Sequence, residues 1–115
     1  MVDLLTVVAL AYVGWCGVAY WMQGPLMFPR VKMDGGGPPA GQGIERVWLD
    51  AEDGSRVEGW FAAGQRGNTA GPGAAVILAH GNGELIDDNV PWMAGYLKLG
   101  VSVLLPEYRG YGRSG

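Results

Sequence analysis

Residues 75–84 read "AVILAHGNGE", and their interpretation decides the fold. The first five are an unbroken apolar run. A strand that faces water on one side alternates apolar and polar residues, so a continuous run suits a strand buried on both faces of a mainly parallel sheet. His80, Gly81, Asn82, Gly83 and Glu84 then break the run. A helix is expected to begin near Asp87 or Asp88, because Val90, Met93, Ala94 and Leu97 fall at i, i+3, i+4 and i+7 and form one apolar stripe. Pro91 is tolerated in a first turn, and acids there suit the helix dipole. Lys98 and Gly100 close the helix. Residues 101–105, "VSVLL", read as a second buried strand. Strand, helix and strand make a parallel βαβ unit with an expected right-handed crossover.

Upstream, residues 44–49, "IERVWL", alternate imperfectly but carry the β-branched and aromatic content of a strand. Asp53-Gly54 is a hairpin turn signal. Residues 56–62, "RVEGWFA", return as a second strand, paired antiparallel with the first. Residues 63–74, "AGQRGNTAGPGA", form a glycine-rich loop. The order is strand, strand, strand, helix, strand, which places the chain in the α/β class. No internal repeat is present.

The N-terminus is of another kind. Residues 4–22, "LLTVVALAYVGWCGVAYWM", carry no charge, and nineteen residues of helix span roughly 28 Å, near the thickness of a bilayer core. Tyr20 and Trp21 sit where aromatic rings favour the membrane interface, and Gly24 and Pro25 are expected to stop the helix. A signal peptide wants a basic leader, and only Asp3 and the amino terminus precede the run. The expected organisation is a retained, single-pass membrane anchor over residues 1–24. A juxtamembrane segment and a Gly/Pro-rich linker follow over 25–43, an apolar stretch at the membrane surface and then, over 34–43, a flexible, hydrogen-bond-poor linker, and an α/β domain follows over 44–115. Membrane lipid is therefore the expected partner of residues 4–22. Arg30 and Lys32 after the span, against Asp3 before it, lean toward a cytoplasmic domain.

Bulk charge excludes some functions. The net charge is −3, the pI is about 4.9, and no cluster of Lys or Arg exists, which argues against a nucleic-acid partner. Cys16 is the only cysteine, so no intrachain disulfide and no cysteine zinc site can form. One histidine and scattered acids do not make a metal site, and no cofactor is expected.

Chemistry concentrates in two loops. At the carboxyl end of a parallel strand, Gly81 and Gly83 would let bare backbone N–H groups approach a ligand, and such donors stabilise an oxyanion in acyl transfer. On the residues alone, a plain tight turn explains the same glycines equally well. The second loop ends the chain: residues 108–115, "YRGYGRSG", spell G-x-G-x-x-G through Gly110, Gly112 and Gly115, and come one glycine short of G-x-S-x-G around Ser114. A dinucleotide fingerprint should open a helix directly after a strand, with an acid about 20 residues on. Neither condition is met here.

"VILAHGNGE" followed by "VSVLLPEYRGYGRSG" resembles the N-terminal part of an α/β-hydrolase, most closely the membrane-anchored, Bem46-like serine hydrolases. The resemblance runs from about Gln23 to Gly115. It implies an N-terminal transmembrane helix followed by the first half of a hydrolase sheet, an antiparallel hairpin and then the βαβ unit. It implies that the backbone N–H of Asn82 is an oxyanion-hole donor, with Gly81 and Gly83 shaping the loop. His80 would orient that loop rather than act as a general base. Glu107 and Arg109 would hold neighbouring loops, and Asp87 and Asp88 would start a helix rather than form a carboxylate pair. The implied reaction is hydrolysis of an ester-type acyl bond, as by a carboxylesterase, lipase or thioesterase, with a small-molecule acyl substrate.

That reaction needs a nucleophile, a base and an orienting acid, in the order Ser, Asp or Glu, His in this fold. The only serines are Ser55, Ser102 and Ser114, and His80 precedes the nucleophile's place. No triad can be assembled. The expectation is a fragment that carries the oxyanion loop but lacks the nucleophile elbow, and is inactive alone. Two alternatives stand beside it: a non-enzymatic membrane-anchored binding module, and a dinucleotide-binding protein through "GYGRSG".

Overall fold

The computed structural model describes residues 3–64 and 73–115. Helix α1 spans Leu4–Met27, strand β1 Ile44–Asp50, β2 Arg56–Ala62 and β3 Ala75–Ile77. A 3-10 turn follows over Ile86–Asn89, then helix α2 over Val90–Lys98 and strand β4 over Ser102–Pro106. Most of the glycine-rich loop expected between β2 and β3, residues 65–72, lies outside the described residues.

Helix α1 starts on a cap. The Asp3 carboxylate accepts from the Thr6 backbone N–H at 2.7 Å, which satisfies one of the orphan donors of the first turn. The helix does not stop at Gly24 and Pro25 as expected. It continues to Met27 with Pro25 inside it, and closes where the Phe28 N–H donates to the Gly24 carbonyl. Proline so near an end breaks only one ladder bond, so one more turn survives. None of the helix is buried, and it is long and apolar enough to cross a bilayer.

The four strands form one mixed sheet in the order β1-β2-β4-β3. The hairpin pairs Ile44 with Ala62 through Asp50 with Arg56. Its turn uses Gly54 at φ +82°, while Asp53 accepts from the Ser55 N–H at 3.1 Å. Strand β2 also runs antiparallel to β4, with Trp60 opposite Leu105 and Ala62 opposite Val103. Strands β3 and β4 are parallel, as a βαβ unit requires.

This register places Trp60, Ala62, Val103 and Leu105 on one face, where they meet Ile86 and Met93 in the core. Ile44, Val76, Leu78, Val90 and Leu97 pack around them. Burying each of the larger side chains contributes about 1.5–3 kcal/mol, so this single layer of α2 on sheet holds the unit together. Of the expected helix stripe, Val90, Met93 and Leu97 face the core and Ala94 is exposed. Beyond the end of α2 at Lys98, Gly100 at φ +80° turns the chain, and its N–H donates to the Leu97 carbonyl.

Strand β3 is not buried on both faces. It has three residues, and Ile77 is 73% exposed. The reason is topological: β3 lies at the end of the strand order, and among the described residues no strand covers its outer side.

The segment after α1 is tied to the end of the chain. The Gly112 N–H donates to Val31 at 2.7 Å, and the Met33 N–H donates back to Gly112 at 3.1 Å. Lys32 Nζ donates to the Ser114 carbonyl at 2.6 Å. Farther along, the carbonyls of Gly35 and Gly36 accept from Arg113 and Arg46. Residues 31–36 thus form a strap, stitched to the loop after β4.

Candidate functional site

The carboxyl ends of β3 and β4 bring together the two loops singled out in the sequence. After β3 comes His80–Gly81–Asn82–Gly83. Gly83 has φ +84°, which only glycine adopts without strain, and a Cβ there would meet Pro29 Cγ at 3.7 Å. The Glu84 carboxylate reaches back to accept from the Gly81 N–H at 3.1 Å and from Asn89 Nδ2 at 3.2 Å. The Asn89 side-chain bond, then the Gly81 backbone bond, hold the Glu84 carboxyl below its ordinary value. Among the described residues no acceptor lies on the backbone N–H of Asn82. The Asn82 side chain bridges two elements: Nδ2 donates to the Met27 carbonyl at 2.5 Å, and Oδ1 accepts from the Tyr111 hydroxyl at 3.0 Å.

His80 is buried behind this loop. Its Nε2 lies 2.6 Å from Glu107 Oε1, and its Nδ1 lies 2.9 Å from the Gly81 carbonyl. The ring stacks at a tilt on Tyr108, with centroids 4.4 Å apart, and the Tyr108 hydroxyl donates to the His80 carbonyl at 2.9 Å. Both ring nitrogens are engaged inside the protein.

Glu107 is the centre of the arrangement and is 2% exposed. Beyond His80, its carboxylate accepts from the N–H groups of Tyr108 at 3.0 Å and Ile86 at 3.2 Å. One side chain therefore joins β4 to the His80 loop and to the turn that starts α2. The absence of a side chain at Gly112 makes the room: a Cβ there would lie 2.7 Å from Glu107 Oε2. Arg109, by contrast, is exposed and pairs with Asp53 of the hairpin turn.

Asp88 accepts from the Leu85 N–H at 2.9 Å and so caps the 3-10 turn. Asp87 does more than start a helix. It pairs with Arg113 Nη2 at 2.8 Å, and Arg113 Nε pairs with the fully buried Glu58 at 2.5 Å. Glu58 also accepts from Trp60 Nε1 at 2.9 Å and pairs with Arg46 at 2.9 Å. Arg113 stacks over the Trp60 ring, 5.5 Å from its centroid. Burial works against its charge, but the bonds and charges of Asp87 and Glu58 outweigh burial and raise its pKa. Sequence reasoning missed this network, since partners 26 and 55 residues apart leave no local signature.

The serines are all structural here. Ser114 is 2% exposed, and its hydroxyl accepts from the Glu58 N–H at 3.0 Å. Ser55 sits in the hairpin turn, and Ser102 accepts from the Gly64 N–H at 3.1 Å. The glycines of "GYGRSG" do not open a phosphate cradle either. The N–H groups of Gly110, Gly112 and Gly115 donate to the carbonyls of Gly115, Val31 and Arg56. Among the described residues, no three His, Cys, Asp or Glu side chains converge as metal ligands would.

A cleft of about 470 Å³ lies between Asn82, Tyr108 and Tyr111 on one side and Met27 and Phe28 on the other. The end of α1 thus forms one wall of a cavity whose other wall is the His80–Gly83 loop.

No family model matches the chain. The chain is 30% identical over 87 residues to the uncharacterised protein YfhR of Escherichia coli, in strains K12 and O157:H7. That stretch covers 76% of this chain and 30% of the relative. The fold is similar to that of an esterase from Pyrococcus furiosus, with TM-score 0.52 and 24% identity, over 73% of this chain and 31% of the esterase. The chain thus spans about a third of the length of the proteins it matches, and shares with the esterase a hydrolase-like fold.

Proposed function

We propose that these residues are the membrane-anchored N-terminal part of a serine hydrolase of the α/β-hydrolase fold, acting on ester-type acyl bonds. One observation carries the reading. The His80–Gly83 loop projects from the carboxyl end of a parallel strand, with no acceptor on the Asn82 N–H among the described residues, and is locked from behind by His80 and Glu107. A donor held in place before reaction stabilises developing negative charge without reorganising. In this reading Asn82 supplies a backbone N–H to the oxyanion, Gly81 and Gly83 give the loop its shape, and His80 positions it. Nucleophile, acid and catalytic base belong to sequence beyond Gly115. Helix α1 holds the unit in the bilayer, with the α/β domain on the cytoplasmic side.

The alternatives have less support. A dinucleotide has no free glycine N–H groups to bind in residues 110–115, and nothing in the chain points to a particular partner for a pure binding module.

The test is the reading frame after codon 115 and the activity of its product. The expected frame runs into G-x-S-x-G, then an acid, then a histidine, and its product hydrolyses p-nitrophenyl esters and labels with a fluorophosphonate. Residues 1–115 alone are expected to show no turnover above a Ser114→Ala control. A longer product that neither hydrolyses esters nor labels would end the proposal.

A further inference from the structure

The described residues include five arginines, and four are engaged. Arg46 and Arg113 pair with Glu58, Arg56 with Asp50, and Arg109 with Asp53. Arg30 has no hydrogen bond or ion pair among the described residues, yet its side chain has a seat. Its stem lies against Gly110, where a Cβ would come within 3.4 Å of Arg30 Cδ. Its backbone is held at φ +38°, the one non-glycine residue with positive φ among those described. Non-glycine residues in that region carry strain, which persists where the surroundings fix the conformation. The strap pairing of Val31 and Met33 with Gly112, immediately after Arg30, supplies that constraint.

The surroundings of this cation are apolar. Arg30 lines a cleft of about 330 Å³ with Gly24, Pro25, Phe28 and Pro29 at the end of α1. Tyr20 and Trp21 lie one to two turns up the same helix, and both are exposed. Helix carbonyls at this end would ordinarily oppose an anion. Two of them are already occupied: Gly24 accepts from the Phe28 N–H and Met27 from Asn82 Nδ2. What remains is a guanidinium unpaired among the described residues, beside an apolar cleft at the end of α1. Guanidinium matches phosphate in shape and charge, and an alkyl chain suits the cleft.

We propose that this corner binds an anionic phospholipid, its phosphate on Arg30 and the start of one acyl chain against Pro25, Phe28 and Pro29. The site rests on the reading that α1 spans a bilayer, and it is independent of any hydrolase activity. Its role is to fix the depth and rotation of the helix end, and with it the wall of the cleft that faces Asn82.

The full chain, reconstituted in nanodiscs of phosphatidylcholine with or without phosphatidylglycerol, tests this by native mass spectrometry of retained lipid. Phosphatidylglycerol should be retained over phosphatidylcholine, and Arg30→Gln should reduce that preference about fivefold, the effect of one cation at a membrane surface. Lys32→Gln should reduce it by less, because the Ser114 carbonyl holds that ammonium against the loop after β4. Equal retention of the two lipids, or an unchanged preference in Arg30→Gln, would overturn the site. Alkaline extraction of the same samples reads membrane insertion separately. A chain released by alkali would refute the spanning helix and the site with it, while a chain that stays inserted but shows no preference refutes the site alone.

Discussion

Glu107→Ala removes the acceptor that joins three segments. His80 Nε2 lies 2.6 Å from the carboxylate, and the N–H groups of Ile86 and Tyr108 donate to it at 3.2 and 3.0 Å. Ile86 is fully buried and His80 nearly so, so water cannot easily replace the lost acceptor. A buried donor left without a partner costs about 1–3 kcal/mol, and here three groups lose one acceptor together. Whole domains are stable by only about 5–15 kcal/mol. In a domain this small, a loss of about 3 kcal/mol lowers the midpoint of thermal unfolding by at least about 12 °C. The measurement is near-ultraviolet circular dichroism of the full chain in detergent as temperature rises. Glu107→Gln keeps an acceptor for His80 and should recover about half the loss. Adding His80→Ala to Glu107→Ala should cost at least about 1 kcal/mol less than the sum of the two, because they share one interaction. A Glu107→Ala midpoint within about 4 °C of the parent, or strict additivity with His80→Ala, would refute the claim that this carboxylate locks the loop.

Gly112→Ala should destabilise by about 1–3 kcal/mol, since φ is +50° and the new Cβ would press on Glu107 Oε2; a chemical-denaturation midpoint equal to that of the parent would contradict it. The Glu84 carboxyl is held low by Asn89 and by the Gly81 N–H. Its contribution is therefore fully present above the ordinary value of 4.5 and is lost only as pH falls through the depressed folded value. The Gly81 amide shift followed by NMR should titrate below pH 4.5, with a higher midpoint in Asn89→Ala, and a midpoint indifferent to that substitution would be the contrary result. Residues 44–115 expressed alone lose the strap and keep the open edge of β3, so they should show no cooperative thermal transition. A sharp transition would mean that the strap is dispensable.

Much of the sheet was legible because its signals are local. Strand β2 was expected at residues 56–62 and found as Arg56–Ala62, since Asp53-Gly54 can only turn the chain and β-rich residues follow. Val90, Met93 and Leu97 face the core because helical period is readable in any amphipathic stretch. The apolar run at residues 75–79 misled. Composition reports what a strand could bury, while exposure depends on which strands lie beside it, and Ile77 has none on one side among the described residues. The strap was invisible for another reason: no local pattern in residues 31–36 tells that Gly112 and Arg113 will take up carbonyls some 80 residues earlier. At the site, the motif drew attention to His80 and Asn82. The burial of Glu107 and the tie from Asn82 to Met27 depend on contacts that only the folded chain brings together.

The central claim is that the Asn82 N–H waits for an oxyanion. It is tested most directly by the structure of the hydrolase proposed to continue past Gly115, after reaction with a fluorophosphonate. The account places the phosphonyl oxygen within hydrogen-bond distance, about 2.7–3.1 Å, of the Asn82 backbone nitrogen, with His80 still bound to Glu107. A phosphonyl oxygen held by other donors, with Asn82 turned away, would contradict it.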